Sequence, residues 1–124
     1  MSKKILVADD EPNIVISLEY LLKREGYTVT IARDGQEALD AIARDHPDLV
    51  LLDVMMPKKS GFEVCQELRI NEALQHIKIL MLTAKGRDTD VAKGLALGAD
   101  AYMTKPFATR DLVQKVAQML GQSE

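Results

Sequence analysis

Apolar positions along the chain follow two alternating spacings. Short runs of neighbouring or alternating apolar residues, which are typical of strands, occur five times, and each is followed by a stretch with the three- or four-residue spacing of a helix. The five strand-like runs are KILVA at 4–8, YTVTIA at 27–32, DLVLL at 48–52, IKILML at 77–82 and DAYMT at 100–104. Five strand-then-helix units predict an α/β fold, a (βα)5 chain whose parallel sheet carries helices on both faces.

Local signals mark where the predicted helices begin and end. Pro12 suits the first position of a helix, and Gly26 stops the helical stretch that follows it. Asp34 and Ser60 each precede a glutamate by three positions, which is the capping-box pattern, so they open the second and third helices. The fourth helix is expected over about 88–97, and a fifth follows the last strand.

The strand-like runs differ in how they alternate. The run at 49–52 is continuously apolar, which predicts a central strand buried on both faces of the sheet. The run at 27–32 alternates apolar and polar residues, which predicts an edge strand.

Composition narrows the class of protein. A length of 124 residues suits one domain, and a net charge of −3 gives no support for direct nucleic-acid binding. The single cysteine, Cys65, can form no internal disulfide, and its spacing from apolar neighbours predicts a core thiol. The chain has no apolar run of 18 residues, so neither a membrane span nor a signal peptide is predicted, and we expect a cytoplasmic protein.

Chemically capable residues stand where the predicted strands end. Parallel α/β sheets bind ligands outside the carboxyl ends of their strands. The residues found there, after the first, third, fourth and fifth strands, are Asp9 and Asp10, then Asp53, then Thr83, then Lys105 and Pro106.

These residue types suit phosphoryl transfer beside a metal ion. Three carboxylates in one place repel one another unless a cation lies among them, and a small set of oxygen ligands suits Mg²⁺. Lys105 could offset the repulsion between a phosphoryl group and an attacking carboxylate, and Thr83 could donate a hydrogen bond to a phosphoryl oxygen. Asp53 is then the nucleophile, and its product is an aspartyl phosphate.

Each of these residues also has a structural interpretation. Asp9 and Asp10 could serve the dipole of the first helix, Asp53 could cap a turn, and Thr83 could be structural. Their joint occurrence at four strand ends favours the functional interpretation. The chain offers no zinc pattern, no nucleophile–histidine triad and no glycine-rich nucleotide loop.

Four motifs together resemble the receiver domain of bacterial two-component response regulators. They are ILVADDEP, PDLVLLDVMMPKKSG, ILMLTA and GADAYMTKPF, and the match covers nearly the whole chain. The resemblance implies a single receiver domain over residues 1–124 with the flavodoxin-like, doubly wound fold and the strand order 2-1-3-4-5.

The resemblance also implies roles for the site residues. Asp53 would accept a phosphoryl group from a sensor histidine kinase or a phosphotransfer protein. Asp10 and Asp53 would bind Mg²⁺ directly, together with the backbone carbonyl of Met55, and Asp9 would act through a bound water. Lys105 would contact the phosphoryl group.

A conformational switch is implied as well. The bond between Lys105 and Pro106 would be cis. Thr83 would move towards the phosphoryl group and Tyr102 would turn inward, which alters the face made by the fourth helix, the fifth strand and the fifth helix.

Receivers of winged-helix transcription factors form homodimers through that face. Asp100, Asp111 and Lys115 fit their charge pattern, whereas Ala101 stands where they usually carry a second aspartate. A homodimer through this face is therefore one alternative and a monomer the other. The sequence leaves open the cognate kinase, the signal and the output, and whether the chain is a stand-alone receiver or part of a longer protein.

Two other classes share some of these features. A small Mg²⁺-dependent phosphohydrolase with an aspartyl nucleophile usually carries an acid two residues after it, where this chain has Met55. A phosphate-independent pseudo-receiver has typically lost one of the site residues, all of which are present here. We expect a phosphoacceptor that catalyses only its own phosphorylation and slow dephosphorylation, because neither Met55 nor Lys85 can orient an attacking water.

Overall fold

The computed structural model describes residues 3–84 and 86–121. Within them five strands alternate with five α-helices, and a short 3₁₀ helix, Glu72–Leu74, precedes the fourth strand. The strands are β1 Lys4–Ala8, β2 Thr28–Ala32, β3 Leu49–Asp53, β4 Lys78–Ala84 and β5 Ala101–Lys105. The helices are α1 Pro12–Arg24, α2 Gly35–Asp45, α3 Gly61–Ile70, α4 Asp88–Ala96 and α5 Thr109–Met119.

All neighbouring strands pair in parallel, in the order β2-β1-β3-β4-β5. This confirms the flavodoxin-like, doubly wound α/β fold with strand order 2-1-3-4-5. It also confirms β2 as an edge strand. The carboxyl ends of β1 and β3 lie side by side in this order, where the polar residues after them can meet.

Strand β3 is buried along its whole length, as its continuous apolar run predicts. Leu49 and Leu51 face a core completed by α1 and α5, whereas Val50 and Leu52 face a second core completed by α2 and α3. Successive side chains of a strand point to opposite faces, so one apolar run contributes to both cores.

The two predicted capping boxes differ in the structure. Ser60 forms the complete box with Glu63, in which each residue accepts a hydrogen bond from the backbone N–H of the other. Asp34 accepts from the N–H of Glu37, but the Glu37 carboxylate accepts from the N–H of Arg33, one residue before the cap. The capping box predicted at Asp34 is therefore only half formed. The prediction of Asp34 as the cap is confirmed, whereas the prediction that Glu37 accepts from the N–H of Asp34 was wrong.

Strand ends shift by one or two residues from their predicted positions. Strand β4 continues past Leu82, so Thr83 lies inside the strand and pairs with Thr104 of β5. Strand β3 includes Asp53, and β5 begins at Ala101 rather than Asp100. Asp100 still contacts the neighbouring strand, because its side chain accepts a hydrogen bond from the N–H of Ile79 and its own N–H donates to the carbonyl of Ile79.

Three further observations concern single residues and the lengths of the helices. Cys65 is a buried free thiol, as predicted, and burial raises its pKa. His46 and His76 are exposed. Among the helices of the described residues, none combines the length and apolarity that crossing a membrane requires.

Candidate functional site

Three aspartates meet at the carboxyl edge of the sheet. Asp9 directly follows β1, Asp10 comes next, and Asp53 is the last residue of the neighbouring strand β3. One carboxylate oxygen from each lies within 4.8 Å of the other two, and no other such acidic or metal-ligating group occurs among the described residues. Asp9 and Asp53 are buried and Asp10 is exposed, so the cluster has one open side.

Lys105, the last residue of β5, reaches into this cluster. Its Nζ lies 2.8 Å from Asp9 Oδ2, 2.8 Å from Glu11 Oε1 and 3.4 Å from Asp53 Oδ1. The contact with Asp9 is an ion pair without hydrogen-bond geometry, so Asp9 Oδ2 has no hydrogen-bond donor within the described part of the chain. The other oxygen, Asp9 Oδ1, accepts the N–H of Glu11 at 2.9 Å.

The pKa values of Asp53 and Lys105 reflect a site with more negative than positive charge. Burial raises the pKa of Asp53 to about 6, the nearby Asp9 carboxylate adds to the rise, and Lys105 opposes it. Burial on its own would lower the pKa of Lys105, but its contacts with Asp9 and Glu11 outweigh burial and hold that pKa above its ordinary value. One lysine therefore does not neutralise the carboxylates, and a further cation would fit among them.

Backbone packing fixes the position of Asp53. Gly61, the first residue of α3, lies so close to the Asp53 carbonyl that a Cβ at this position would collide with it. The Gly61 N–H also donates to the carbonyl of Val54 at 2.9 Å. Glycine is required here by this close approach of two backbone segments. On the far side of the site, the Lys105–Pro106 peptide bond is cis.

The two residues of the implied switch lie in different surroundings. Thr83 is buried, and its hydroxyl donates a hydrogen bond of 3.5 Å to the carbonyl of Met103 in β5. Tyr102 is 44% exposed and stands on the other strand of the same pair. The backbone of β5 therefore connects the threonine hydroxyl to the tyrosine.

An open cavity of about 360 Å³ lies above the aspartates. Met55, which the resemblance identifies as a carbonyl ligand, is in its wall with its side chain 70% exposed. Lys85 lies outside the described residues. The full lining is Asp10, Glu11, Asp53, Val54, Met55, Ala84, Arg87, Asp90 and Lys105.

Three charged residues of the lining, Glu11, Arg87 and Asp90, could not be placed at the site from the sequence. Glu11 shares the Lys105 ammonium, which only the folded structure reveals, because the two residues are 94 positions apart. Arg87 and Asp90 form an ion pair in the cavity wall, with Arg87 Nε 2.8 Å from Asp90 Oδ2. Their three-residue spacing is visible in the sequence, but the cavity is not.

Comparisons with known proteins agree with this geometry. The family model of the response regulator receiver domain matches residues 5–117. The alkaline phosphatase synthesis transcriptional regulatory protein PhoP of Bacillus subtilis is 52% identical over 124 residues. That match covers 100% of this chain and 51% of PhoP, so the chain spans about half the length of this relative.

Solved structures are also similar. The chemotaxis response regulator CheY4 of Vibrio cholerae has 31% identity and a TM-score of 0.90, with 96% of this chain and 99% of that chain covered. The receiver domain of a sensor histidine kinase from Pseudomonas aeruginosa, described with a magnesium ion in its active site cleft, has 29% identity and a TM-score of 0.89, with 98% and 100% covered. With its sheet order, its acidic edge and a family match over most of its length, this chain belongs to the response regulator receiver domain family.

Proposed function

We propose that this domain is a phosphorylation-controlled switch that accepts a phosphoryl group on Asp53 from a sensor histidine kinase or a phosphotransfer protein in the cytoplasm. One observation carries the proposal. The Lys105 ammonium lies 3.4 Å from a buried carboxylate oxygen of Asp53, inside a cluster of three aspartates at a sheet edge. This arrangement supplies a nucleophile, and beside it a cation that can bind the incoming phosphoryl oxygens.

The transfer step follows from these residues. An oxygen of the Asp53 carboxylate forms a bond to phosphorus, while the bond from phosphorus to the donor atom breaks and its electron pair leaves with the donor. Lys105 offsets the charge of the phosphoryl oxygens. The Thr83 hydroxyl exchanges its weak contact with Met103 for a phosphoryl oxygen.

The same residues fit a magnesium ion. Three carboxylate oxygens lie within 4.8 Å of one another, and one buried oxygen of Asp9 has no hydrogen-bond donor among the described residues. Asp10 and Asp53 would hold the ion directly with the carbonyl of Met55, and Asp9 would hold it through water. When bound, Mg²⁺ draws negative charge from the phosphoryl oxygens. The magnesium described in the Pseudomonas aeruginosa receiver supports this assignment.

The proposed role is that of a phosphoacceptor rather than a turnover enzyme. The domain catalyses its own phosphorylation and slow dephosphorylation, and phosphorylation alters the face made by α4, β5 and α5 through Thr83 and Tyr102. The similarity to a transcriptional regulatory protein of twice this length supports a role in controlling transcription as part of a longer protein.

Incubation with acetyl phosphate and Mg²⁺, followed by intact mass measurement, tests the phosphoacceptor. Wild type should gain one phosphoryl group, and Asp53→Asn should gain none, because the nearly isosteric amide cannot attack phosphorus. An equal adduct on the variant would identify another acceptor. Absence of any adduct on wild type would favour a pseudo-receiver, and release of phosphate over many turnovers would favour a hydrolase.

Thermal unfolding with and without Mg²⁺ tests the metal site. Mg²⁺ should raise the melting temperature of wild type, because the folded cluster binds the ion and the unfolded chain does not. Asp10→Ala should lose most of this increase, whereas Asp88→Asn, an exposed acid at the start of α4, should keep it. Equal increases in wild type and Asp10→Ala would place the ion elsewhere.

A further inference from the structure

Arg87 is a second cationic group in the cavity that holds Asp53. It lines that cavity together with Lys105, although it comes from the segment before α4 and not from a strand end. Its guanidinium forms two contacts with the carboxylate of Asp90, Nε to Oδ2 at 2.8 Å and Nη2 to Oδ1 at 3.3 Å. Asp90 lines the same cavity, so the ion pair is part of the cavity wall.

The ion pair with Asp90, three residues further on, gives Arg87 a modest role in α4, but helix capping does not account for an arginine at this position. Arg87 is the N-cap residue of α4, but its side chain makes no capping hydrogen bond. A guanidinium has no acceptor for the free N–H groups there, and its positive charge opposes the helix dipole. A residue that conflicts with its local element often serves a site instead.

The charges that line the cavity favour a binding role for Arg87. The carboxylates of Asp10, Glu11 and Asp53 line it, and Lys105 is already shared between Glu11, Asp9 and Asp53. An anionic phosphodonor entering this cavity meets more negative than positive charge. Arg87 is 54% exposed and carries a planar fork of donors suited to phosphate oxygens, so it can leave Asp90 for such an anion.

We propose that Arg87 is a phosphodonor-binding residue, that Asp90 holds it aside in the free domain, and that it exchanges the Asp90 carboxylate for phosphoryl oxygens when the donor enters. The inference rests on the proposed function of Asp53. With acetyl phosphate, the bond from phosphorus to the acetate oxygen breaks, acetate leaves with the electron pair, and Asp53 bonds to phosphorus. Arg87 takes no part in bond making and binds only the oxygens of the donor.

The two partners of this ion pair should have opposite effects on phosphorylation. Arg87→Gln should raise the half-saturating concentration of acetyl phosphate about tenfold, the size of one lost hydrogen bond to a charged group, with little change in the rate at saturation. Asp90→Asn should lower that concentration, because it frees the guanidinium. A purely structural ion pair would give changes in the same direction for both variants, and that result would overturn the proposal.

Matched controls separate contact from bulk charge. Arg110→Gln and Asp88→Asn remove one positive and one negative charge from exposed residues that do not line the cavity. Arg87→Lys keeps the positive charge but loses the planar guanidinium and its paired N–H donors. If the effects of Arg87→Gln disappear in 0.5 M salt or are matched by Arg110→Gln, steering by net charge explains them and the proposal fails.

A binding measurement gives a second readout. Titration with beryllofluoride, a phosphoryl analogue, at saturating Mg²⁺ should show affinity about tenfold weaker for Arg87→Gln, while its affinity for Mg²⁺ alone stays that of wild type. Unchanged beryllofluoride affinity would overturn the role of Arg87 and leave Asp53 as the acceptor. Absence of any phosphoryl adduct on wild type would instead overturn the proposed function itself.

Discussion

Asp53 is a carboxylate at the end of a strand whose every residue is buried. The fold places it there beside Asp9, with Lys105 as the cation in contact, and burial raises its pKa to about 6. A charged carboxylate is unfavourable at this buried position. The site therefore favours a bound cation beside Asp53 or a phosphoryl group on it.

This raised pKa predicts how stability depends on pH. The pKa of Asp53 is about 6 in the folded domain and near 3.8 in the unfolded chain, so between these values the folded state binds the proton more tightly. The contribution to stability is fully present below pH 4 and is lost as the pH rises through 6. Without metal, Asp53→Asn should therefore be more stable than wild type at pH 7, by on the order of 1 kcal/mol, with the difference vanishing near pH 4.

Urea unfolding at pH 4, 5.5 and 7 in a chelator measures this difference. Asp88→Asn is the matched control, since it makes the same chemical change at an exposed position, and its difference from wild type should stay flat over this range. A pH-independent gain for Asp53→Asn would show that removal of the buried carboxylate charge is not the cause.

Met55 bears on the lifetime of the phosphorylated state. Its exposed side chain lines the cavity, and a thioether can neither accept a proton from water nor orient it as an amide or carboxylate would. Lys85 carries only donors. We expect slow decay, and Met55→Asn with Lys85→Glu should shorten the lifetime several-fold, within the range of a positioned catalytic group.

Loss of phosphate from purified phosphoprotein, with Mg²⁺ present and the donor removed, gives this lifetime. The single variant Met55→Leu is the control, because it keeps an apolar side chain and should decay like wild type. Decay of wild type within seconds, or no acceleration in the double variant, would contradict this account of the two positions.

At the scale of elements, one arginine connects three segments. Arg69 of α3 donates to the carbonyls of Gln75, Ile77 and Gly98 and to the carboxylate of Asp100, at 2.8 to 3.0 Å. These partners lie before β4 and in the turn between α4 and β5. Asp100 fits the charge pattern of dimerising receivers in the sequence, whereas in the structure its Oδ2 is engaged within the chain.

Arg69→Met should lower the free energy of unfolding by about 2–4 kcal/mol, since it leaves two partly buried carbonyls without this donor and removes the cation paired with Asp100. Arg44→Met is the matched control. It also removes an arginine–aspartate ion pair, but Arg44 is 64% exposed and pairs with its sequence neighbour Asp45, so the loss should stay below about 0.5 kcal/mol. Urea denaturation gives both values, and similar losses would show that the Arg69 network adds nothing beyond its ion pair.

Whether a segment forms a strand or a helix was predictable, because the spacing of its apolar residues determines this. The continuously apolar run that forms β3 is the clearest case. Its end was harder to place, because Asp53 is polar yet continues the ladder opposite Leu82. The site was predictable where its residues end strands, as for Lys105. The ion pair of Lys105 with Glu11 and the position of Arg87 in the cavity wall depend on tertiary contacts that no local pattern carries.

At the scale of the whole molecule, β5 connects the site to the face made by α4, β5 and α5, which we propose responds to phosphorylation. Thr83 donates to the carbonyl of Met103, and Tyr102 is the residue before Met103 in that strand. If Thr83 turns to a phosphoryl oxygen, the Met103 carbonyl loses this donor, and the backbone beside Tyr102 can rearrange. A local change in charge at Asp53 would then alter the face made by α4, β5 and α5.

Hydrogen exchange with and without beryllofluoride and Mg²⁺ tests this path. Exchange should change at Tyr102 and across residues 86–97, which include α4, while α2, which follows the edge strand opposite β5, stays unchanged. Thr83→Ala should still bind the analogue, because Lys105 and the aspartates remain, but it should lose the change at Tyr102, because no hydroxyl is left to leave Met103. Asp53→Asn should show neither binding nor change. A response confined to α1, or one at Tyr102 that persists in Thr83→Ala, would mean that the signal leaves the site by another route than this hydroxyl.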